Sequence, residues 1–244
     1  MTTGTFLTAD WRWLVMLNYE VAPAILLPHV PVGTTLDLFQ NRAFVSVVGF
    51  RFTRTRVLGV PIPLHEDFDE VNLRFYVRRD VEGAPARHGV VFIRELVPRL
   101  AVAVVARLTF NEPYRAVPMR HTAPDAPTEM PGRVAYEWRT SAGWQHVAAT
   151  AVGHAATPVV GSLTSFLSER HWGYTRQRDG GTVEYEVTHP RWRVWEAESP
   201  ELTADVRDLY GAEFEPALAA PPATTYVVEG SSVTVHSPTR IAGR

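Results

Sequence analysis

A period of two residues between positions 70 and 78 constrains the fold of this chain more than any other feature of the sequence. Side chains alternate between the two faces of an extended strand, whereas a helix repeats every ~3.6 residues. One face of such a strand would carry Val71, Leu73, Phe75 and Val77, and the other would carry Glu70, Asn72, Arg74, Tyr76 and Arg78. The segment therefore predicts a β-strand with one apolar face and one chemically mixed face.

Other strand-like segments extend this prediction to most of the chain. Residues 12–21, 89–97 and 181–189 are rich in branched and aromatic side chains, which favour strands. Turn residues predict hairpins around Gln40–Asn41, around residues 141–143, at Gly180–Gly181, and between residues 224–230 and 232–237.

A few segments have helical character instead. Residues 22–33 contain a helical turn closed by prolines, residues 162–170 begin with a Ser cap, and residues 202–214 predict another short helix. Residues 98–110 begin with proline and contain three alanines, which predicts a helix of about three turns. About ten strands with so few helices indicate a mainly β (α+β) protein, and we predict one domain over residues 1–244.

The composition excludes several kinds of site. The chain has 244 residues and no cysteine, which rules out disulfides, thiol catalysis and cysteine-ligated zinc. All 24 basic residues are arginine, so no lysine side chain can form a Schiff base. The net charge is −2 and the arginines form no basic patch, so we predict no binding to nucleic acid.

The apolar segments bear on the location of the protein. Residues 1–13 lack the basic start and the apolar block of a secretory signal. The longest apolar runs, such as residues 100–106, are far shorter than a membrane span. We therefore predict a cytoplasmic protein that does not enter a membrane.

Several longer segments are similar to one bacterial family. They read "VAPAILLPHVPVGTTLDLF", "FDEVNLRFYV", "GVVFIRELVPRLAVAVVARLTFNEPYRAVPMRH" and "SLTSFLSERHWGY", the last followed by "HPRW". Together they resemble the YqjF-like proteins of unknown function, which are distant relatives of acetoacetate decarboxylase. The resemblance extends from about Arg12 to about Trp195, and residues 89–121 are its most specific part.

This resemblance implies a fold and a kind of site. The fold would be an acetoacetate decarboxylase-like closed β-cone or barrel with a central cavity and a few short helices, and a homo-oligomer is possible. In the decarboxylase a buried lysine condenses with the keto group of the substrate, assisted by an arginine near the N-terminus and by acidic residues. This chain has no lysine and cannot perform that imine chemistry, although Arg12 has the strand context of the decarboxylase arginine.

The candidate site residues are side chains that could transfer a proton or hold an anion. The candidate catalytic residues are Glu70, Glu95 and Glu112, because a carboxyl group can act as a general acid or base. An arginine fork suits a carboxylate or carbonyl group of a ligand. The candidate ligand-binding residues are Arg12, Asn72, Arg74, Arg94, Tyr114, Arg120 and His121.

These candidates also have structural interpretations that the sequence leaves open. In an open sheet the polar face between residues 70 and 78 would be solvated, whereas in a closed cone it would line the cavity. Arg94 and Glu95 are neighbours and should point to opposite faces unless the strand ends or bulges there. They could also form a structural ion pair, and Glu112 could hold backbone groups where a helix ends.

The segment "HEDFDE" at residues 65–70 offers oxygen and nitrogen ligands for a metal ion. Its spacing matches no metal-binding motif, and acidic loops are usually solvated. We therefore predict neither a metal site nor a cofactor.

Two functions are compatible with this pattern, and a structural or oligomer-interface role for the same charged residues also stays open. The first is a binding protein whose cavity holds a small anionic or oxo-group ligand. The second is a lyase or hydratase that uses cavity carboxyl groups as general acid and base, with arginine stabilising charge. The sequence does not distinguish between them.

Overall fold

The computed structural model describes residues 4–99 and 110–241, and strands dominate this part of the chain. The strands are β1 (Thr5–Val21), β2 (Thr35–Leu36), β3 (Ala43–Val57), β4 (Val60–Pro61), β5 (Phe68–Val81), β6 (Ala84–Val97), β7 (Tyr114–Ala116), β8 (Met119–Thr122), β9 (Arg133–Thr140), β10 (Gly143–Ala156), β11 (Trp172–Arg176), β12 (Thr182–Thr188), β13 (Val194–Thr203), β14 (Thr224–His236) and β15 (Thr239–Ile241). The α-helices are α1 (Pro23–Leu26), α2 (Leu163–Ser168), α3 (Val206–Leu209) and α4 (Glu215–Leu218), with 3-10 turns at Leu27–His29 and Ala212–Phe214. The mainly β class predicted from the sequence is confirmed.

Seven of the described strands form a closed circuit of hydrogen-bonded neighbours, which we call the ring. Its order is β12, β11, β6, β5, β3, β1 and β14. The circuit closes because β12 also pairs with β14, with Val187 opposite Val235 and Thr188 opposite Thr234. Closure gives every strand of the ring one face that points inward and one that points outward.

The sheet continues beyond the ring as an outer layer. Strand β14 also pairs with β13, which is followed by β10, β9 and β8. Apolar side chains of this layer, including Tyr136, Trp138 and Trp195, pack against the outward faces of β1, β3 and β5. Leu209 and Phe214 from the segment around α3 join the same core. The outer faces of these ring strands are therefore buried instead of solvated.

Strand β5 shows how the two cores divide the residues of the ring. Its apolar residues Val71, Leu73, Phe75 and Val77 belong to the core between the ring and the outer layer. Phe68 and Tyr76 belong to a second core inside the ring. The alternation seen in the sequence is thus confirmed as a strand that is buried on both faces.

Several local predictions are confirmed. Strands β9 and β10 form the predicted hairpin, with Thr140 opposite Gly143. Ser162 caps α2, because its Oγ accepts a hydrogen bond from the backbone N–H of Ser165 at 3.2 Å. The helix predicted over residues 98–110 falls largely outside the described residues.

Two predicted hairpins are wrong. Strand β2 pairs with β5 instead of β3, and only the short bridge between Phe39 and Arg42 remains at the predicted turn. The segment predicted as a final hairpin is the single strand β14, which pairs with β1 along most of its length. Gly230 sits in the middle with a φ of +79°, and a Cβ there would lie 2.1 Å from the carbonyl oxygen of Trp11. This glycine allows close approach of two strands, not a chain reversal.

Within residues 4–99 and 110–241, no helix combines the length and apolar character needed to cross a bilayer.

Candidate functional site

The interior of the ring contains a cavity of about 270 Å³. Its wall is largely aromatic and includes Phe6, Trp11, Phe50, Phe52, Phe68, Phe92, Phe110, Trp172, Tyr185 and Trp192. The polar side chains that line it are Thr55, His65, Glu70, Asn72, Arg74, Glu95, Glu112, Tyr114, Ser168 and Arg170. A mainly apolar wall with a few polar groups is typical of a small-molecule site.

Strand β5 supplies three adjacent polar side chains to this cavity. Glu70, Asn72 and Arg74 occupy alternate positions, so they share the inward face of the ring. They are only 2%, 1% and 7% exposed, which excludes the solvated interpretation of this face. The Nδ2 of Asn72 donates to Glu70 Oε1 at 3.0 Å, and the Tyr114 hydroxyl donates to Glu70 Oε2 at 3.0 Å.

A β-bulge in β6 brings Glu95 into the cavity. Phe92 and Arg94 pair with consecutive residues of β5, so Ile93 has no residue opposite it. The extra residue shifts the alternation, and both Phe92 and Glu95 line the cavity although they are three positions apart. Arg94 lies on the other side, where its Nε donates to the carbonyl oxygen of Leu209 at 3.0 Å.

The third carboxyl group comes from the segment before β7. Glu112 is 4% exposed, and its Oε1 accepts hydrogen bonds from the Tyr185 hydroxyl at 2.8 Å and from the Thr175 hydroxyl. Tyr185 and Thr175 lie on the paired strands β12 and β11, 73 and 63 positions from Glu112. Glu112 therefore ties the segment before β7 to this distant pair of strands.

Burial changes the acidity of all three carboxyl groups. Loss of solvation raises the pKa of Glu70 to about 7, and hydrogen bonds from Asn72 and Tyr114 oppose that rise. Loss of solvation likewise raises the pKa of Glu112 to about 7. The pKa of Glu95 is raised well above its ordinary range by burial and by repulsion from the other two carboxyl groups. Near neutral pH this cluster holds protons that exposed glutamates would have lost.

Two buried arginines complete the polar lining. Nη2 of Arg74 donates to the carbonyl oxygen of Leu167 at 3.3 Å. Arg170 donates from Nη1 to Asp37 Oδ2 and from Nε to the carbonyl oxygen of Phe166, both at 2.5 Å. Asp37 therefore neutralises Arg170, whereas the positive charge of Arg74 acts on Glu70 and lowers the pKa of that carboxyl group.

Unpartnered polar atoms are concentrated around this cavity. In the described part of the chain, ten buried side-chain nitrogen or oxygen atoms have no hydrogen-bond partner. Seven of the ten belong to lining residues, namely Trp11 Nε1, Thr55 Oγ1, Asn72 Oδ1, Arg74 Nε, Glu95 Oε2, Glu112 Oε2 and Arg170 Nη2. Buried polar groups in folded proteins normally have partners, so such a concentration points to a binding site.

Six of the ten residues singled out in the sequence line the cavity. They are Glu70, Asn72, Arg74, Glu95, Glu112 and Tyr114. Sequence reasoning missed Arg170 and Tyr185. Tyr185 follows the alternation of β12, which could have indicated its face, whereas Arg170 lies in a loop without any period.

The other four candidates lie outside the lining. Trp11 lines the cavity, so its neighbours Asp10 and Arg12 point to the other face of β1. There Nη2 of Arg12 lies 3.6 Å from Oδ2 of Asp10. Arg94 faces the outer layer instead of the cavity.

Arg120 and His121 also lie away from the cavity. Arg120 forms a two-pronged ion pair with the carboxylate of Glu137, and Nδ1 of His121 lies 2.8 Å from Oδ1 of Asp69. The last two belong to β8, which is at the far end of the outer layer.

The residues that could bind a metal do not converge. No group of three or more His, Asp or Glu side chains within residues 4–99 and 110–241 is arranged to hold a metal ion. Of the acidic segment 65–70, the side chains of His65, Phe68 and Glu70 line the cavity. Glu70 uses its two oxygens to accept hydrogen bonds from Asn72 and Tyr114.

Sequence comparison finds relatives along most of the chain. The DUF2071 family, described as an uncharacterized conserved protein, matches residues 8–232. The uncharacterized protein YqjF of Bacillus subtilis strain 168 is 28% identical over 203 residues, which cover 82% of this chain and 80% of that protein.

Comparison with solved structures identifies the fold. The enduracididine biosynthesis enzyme MppR, in complex with pyruvate, matches with a TM-score of 0.68 at 12% identity, covering all of this chain and 92% of the enzyme. An acetoacetate decarboxylase-like enzyme of Sphingomonas wittichii RW1 has a TM-score of 0.67 at 15% identity and covers 98% and 94% of the two chains. The acetoacetate decarboxylase of Legionella pneumophila has a TM-score of 0.66 at 14% identity and covers 98% and 88%. At these identities the likeness concerns the fold alone.

Proposed function

The chain belongs to the DUF2071 family and has the acetoacetate decarboxylase-like fold, and from this basis we propose that its cavity binds a small anionic or oxo-group ligand. Chemistry through a lysine Schiff base is excluded, because the chain contains no lysine. The proposed site consists of the lining residues Glu70, Asn72, Arg74, Glu95, Glu112, Tyr114 and Arg170. Arg12, Arg94, Arg120 and His121 are not included in it.

The unpartnered donors of two buried guanidinium groups carry this proposal. Arg74 Nε and Arg170 Nη2 both belong to lining residues, and neither atom has an acceptor in the described part of the chain. A buried donor without an acceptor costs about 1–3 kcal/mol, and more when the group is charged. Guanidinium groups bind carboxylate and carbonyl oxygens with directed hydrogen bonds. A ligand oxygen that reaches these nitrogens through a small movement of the surrounding side chains would recover that free energy.

The rest of the wall indicates an apolar body for this ligand. Aromatic rings surround the polar group, and the cavity volume is about 270 Å³. Small-molecule sites typically enclose roughly 300–1,000 Å³, so this cavity suits a ligand at the small end of that class. A branched 2-oxo acid such as 4-methyl-2-oxopentanoate combines an apolar body with an anionic end, whereas pyruvate would leave much of the apolar wall uncovered.

The test compares ligands and a matched pair of variants. Isothermal titration calorimetry and thermal unfolding would be measured with 4-methyl-2-oxopentanoate, pyruvate and 4-methylpentanoate. We expect the branched acids to raise the Tm and Arg74→Gln to weaken their binding at least about tenfold, or ~1.4 kcal/mol. Arg78→Gln is the control, because Arg78 lies on the same face of β5 but is 49% exposed at its end.

Two results would contradict this proposal. If none of these acids shifts the Tm of the wild type, or if Arg74→Gln binds them as tightly as Arg78→Gln does, the guanidinium groups are structural. The unfolding transition of each variant, measured without ligand, separates lost binding from lost folding.

A lyase or hydratase activity is a second candidate, and the carboxyl cluster favours it. Glu70 and Glu112 have pKa values of about 7, which suits groups that take up and release protons near neutral pH. An ionised carboxylate would remove a proton from carbon, and the electron pair of that C–H bond would form a new C=C bond. A protonated carboxyl group would give its proton to the departing hydroxyl, which leaves as water, while Arg74 stabilises the developing charge.

The two candidates differ in what Glu70→Gln does. For a binding protein this variant should change affinity, and no ligand should be converted by either protein. For an enzyme it should abolish turnover while binding survives, because glutamine retains a hydrogen-bonding side chain but cannot transfer the proton. Proton NMR of 2-hydroxy and 2-oxo acids incubated with each protein would follow the conversion, and an unchanged spectrum with the wild type would remove the catalytic candidate.

A further inference from the structure

We propose that an anionic ligand and a proton bind to this cavity cooperatively, so that the affinity for the anion falls as the pH rises above neutrality. This inference rests on the proposed function and concerns the regulation of the same site. It is carried by the excess of acidic over basic side chains in a buried, mainly apolar cavity.

Acidic side chains outnumber the basic ones that could balance them. The titratable or charged residues of the lining are His65, Glu70, Arg74, Glu95, Glu112, Tyr114, Arg170 and Tyr185. Asp37 neutralises Arg170 through a buried ion pair, which leaves Arg74 to balance the three glutamates. Three ionised carboxylates beside this one guanidinium group would give the cavity an excess of negative charge.

The three carboxyl groups act on one another. Burial, and then repulsion from Glu112 and Glu70, raises the pKa of Glu95. The pKa of Glu112 is raised by burial and also by repulsion from Glu70. All three side chains are buried, so water and salt screen these interactions little. A charge that enters the cavity therefore acts on the whole cluster.

An anionic ligand adds such a charge, and it favours the protonated carboxyl groups. Two like charges about 6 Å apart, at an effective dielectric constant of about 20, repel each other by an energy equivalent to roughly a hundredfold in an equilibrium constant. The bound anion therefore raises the affinity of the carboxylates for protons. By reciprocity, each proton on the cluster raises the affinity for the anion.

The other titratable groups of the lining differ from the carboxyl groups in this respect. Burial raises the pKa values of Tyr114 and Tyr185 well above their ordinary range, so both hydroxyl groups stay neutral. His65 lies between β4 and β5, where its Nδ1 is 2.9 Å from the carbonyl oxygen of Pro63. A proton on His65 would also favour an anion, so the experiment must separate this histidine from the glutamates.

The burial of the glutamates sets the pH range of the effect. Without ligand, the pKa values of Glu70 and Glu112 are about 7. A carboxylic acid ligand ionises near pH 4, so its own charge is constant above about pH 6. Below about pH 6 the cluster already holds its protons, and the affinity should be constant. Above pH 7 a proton must be taken up with the anion, so Kd should rise by up to about tenfold per pH unit for each proton.

Calorimetry measures the coupled proton directly. 4-Methyl-2-oxopentanoate would be titrated into the full chain at pH 7.5 in phosphate and in Tris, because these buffers release protons with different enthalpies. We expect an uptake of about 0.5–1 proton per ligand. The Kd should also increase at least about tenfold between pH 6 and pH 8.5.

Three variants assign the proton to its site. Glu70→Gln and Glu112→Gln each remove one titrating group while keeping the size of the side chain, so each should reduce the proton uptake. The double variant should hold Kd within about threefold between pH 6 and pH 8.5. His65→Gln should retain the pH dependence of the wild type. If the double variant does not fold, the two single variants and the comparison of buffers still decide the outcome.

The contrary results distinguish this inference from the proposed function. If 4-methyl-2-oxopentanoate binds without proton uptake and with a constant Kd from pH 6 to pH 8.5, the inference fails while the proposed function stands. If the ligand binds at no pH in this range, both fail. If the pH dependence disappears in His65→Gln but persists in the glutamate variants, the proton binds to His65 and the assignment to the carboxyl groups is wrong.

Discussion

Replacement of Glu112 by glutamine should make the stability of the protein less sensitive to pH. The carboxyl group is buried, and its pKa rises from an ordinary 4.5 to about 7 in the folded chain. The unfolded chain therefore releases this proton near pH 4.5, whereas the folded chain retains it up to about pH 7. Between those values the unfolded state binds fewer protons, so the free energy of unfolding falls as the pH rises.

The size of the effect follows from the shift in pKa. Each unit of pKa corresponds to ~1.36 kcal/mol, so this carboxyl group alone lowers the free energy of unfolding by roughly 2.5 kcal/mol between pH 5 and pH 8. Glutamine cannot ionise, but its Oε1 can still accept hydrogen bonds from Tyr185 and Thr175, as the glutamate does. Repulsion on Glu95 also decreases, which changes the pH dependence in the same direction.

Urea unfolding at several pH values between 5 and 8 measures this difference. The wild type should lose about 2.5 kcal/mol more than Glu112→Gln over the range, and the exposed-site variant Glu196→Gln should follow the wild type. If Glu112→Gln and the wild type lose stability in parallel, the Glu112 carboxyl group is not desolvated. The cavity around this group would then be hydrated.

Two further substitutions test the supports of the site. Asp37→Asn should destabilise the fold by about 3–5 kcal/mol, because it leaves the buried guanidinium of Arg170 without its counter-charge. Asp179→Asn breaks an exposed ion pair and should leave the stability close to that of the wild type, so equal effects of the two variants in urea unfolding would contradict the burial of the Asp37–Arg170 pair. The Cβ of alanine at position 173 would lie 2.1 Å from Cζ of Tyr185, so Gly173→Ala should displace that ring from the cavity wall and weaken ligand binding. Unchanged affinity and stability would show that the ring can move freely.

The candidate site residues differ in how far their positions follow from the local sequence. Glu70, Asn72 and Arg74 share the period of two residues, so their common face is predictable from the local chain alone. The face of Glu95 is not, since the bulge at Ile93 that turns it inward results from pairing with another strand. Arg120 and His121 follow Glu112 closely in the sequence, but the fold places them on β8 at the far end of the sheet.

The sequence by itself determined the local elements of this protein: the alternation of β5, the hairpin of β9 and β10, the cap at Ser162, and the exclusion of lysine chemistry. These depend on neighbouring residues or on composition, so no long-range contact is needed to predict them. Only the tertiary structure decided which face of β5 meets a cavity and that Asp37 neutralises Arg170, 133 positions away. Both depend on the ring, which pairs β1 with β14 from opposite ends of the chain and closes where β14 also pairs with β12. Such long-range pairing leaves no period in the sequence.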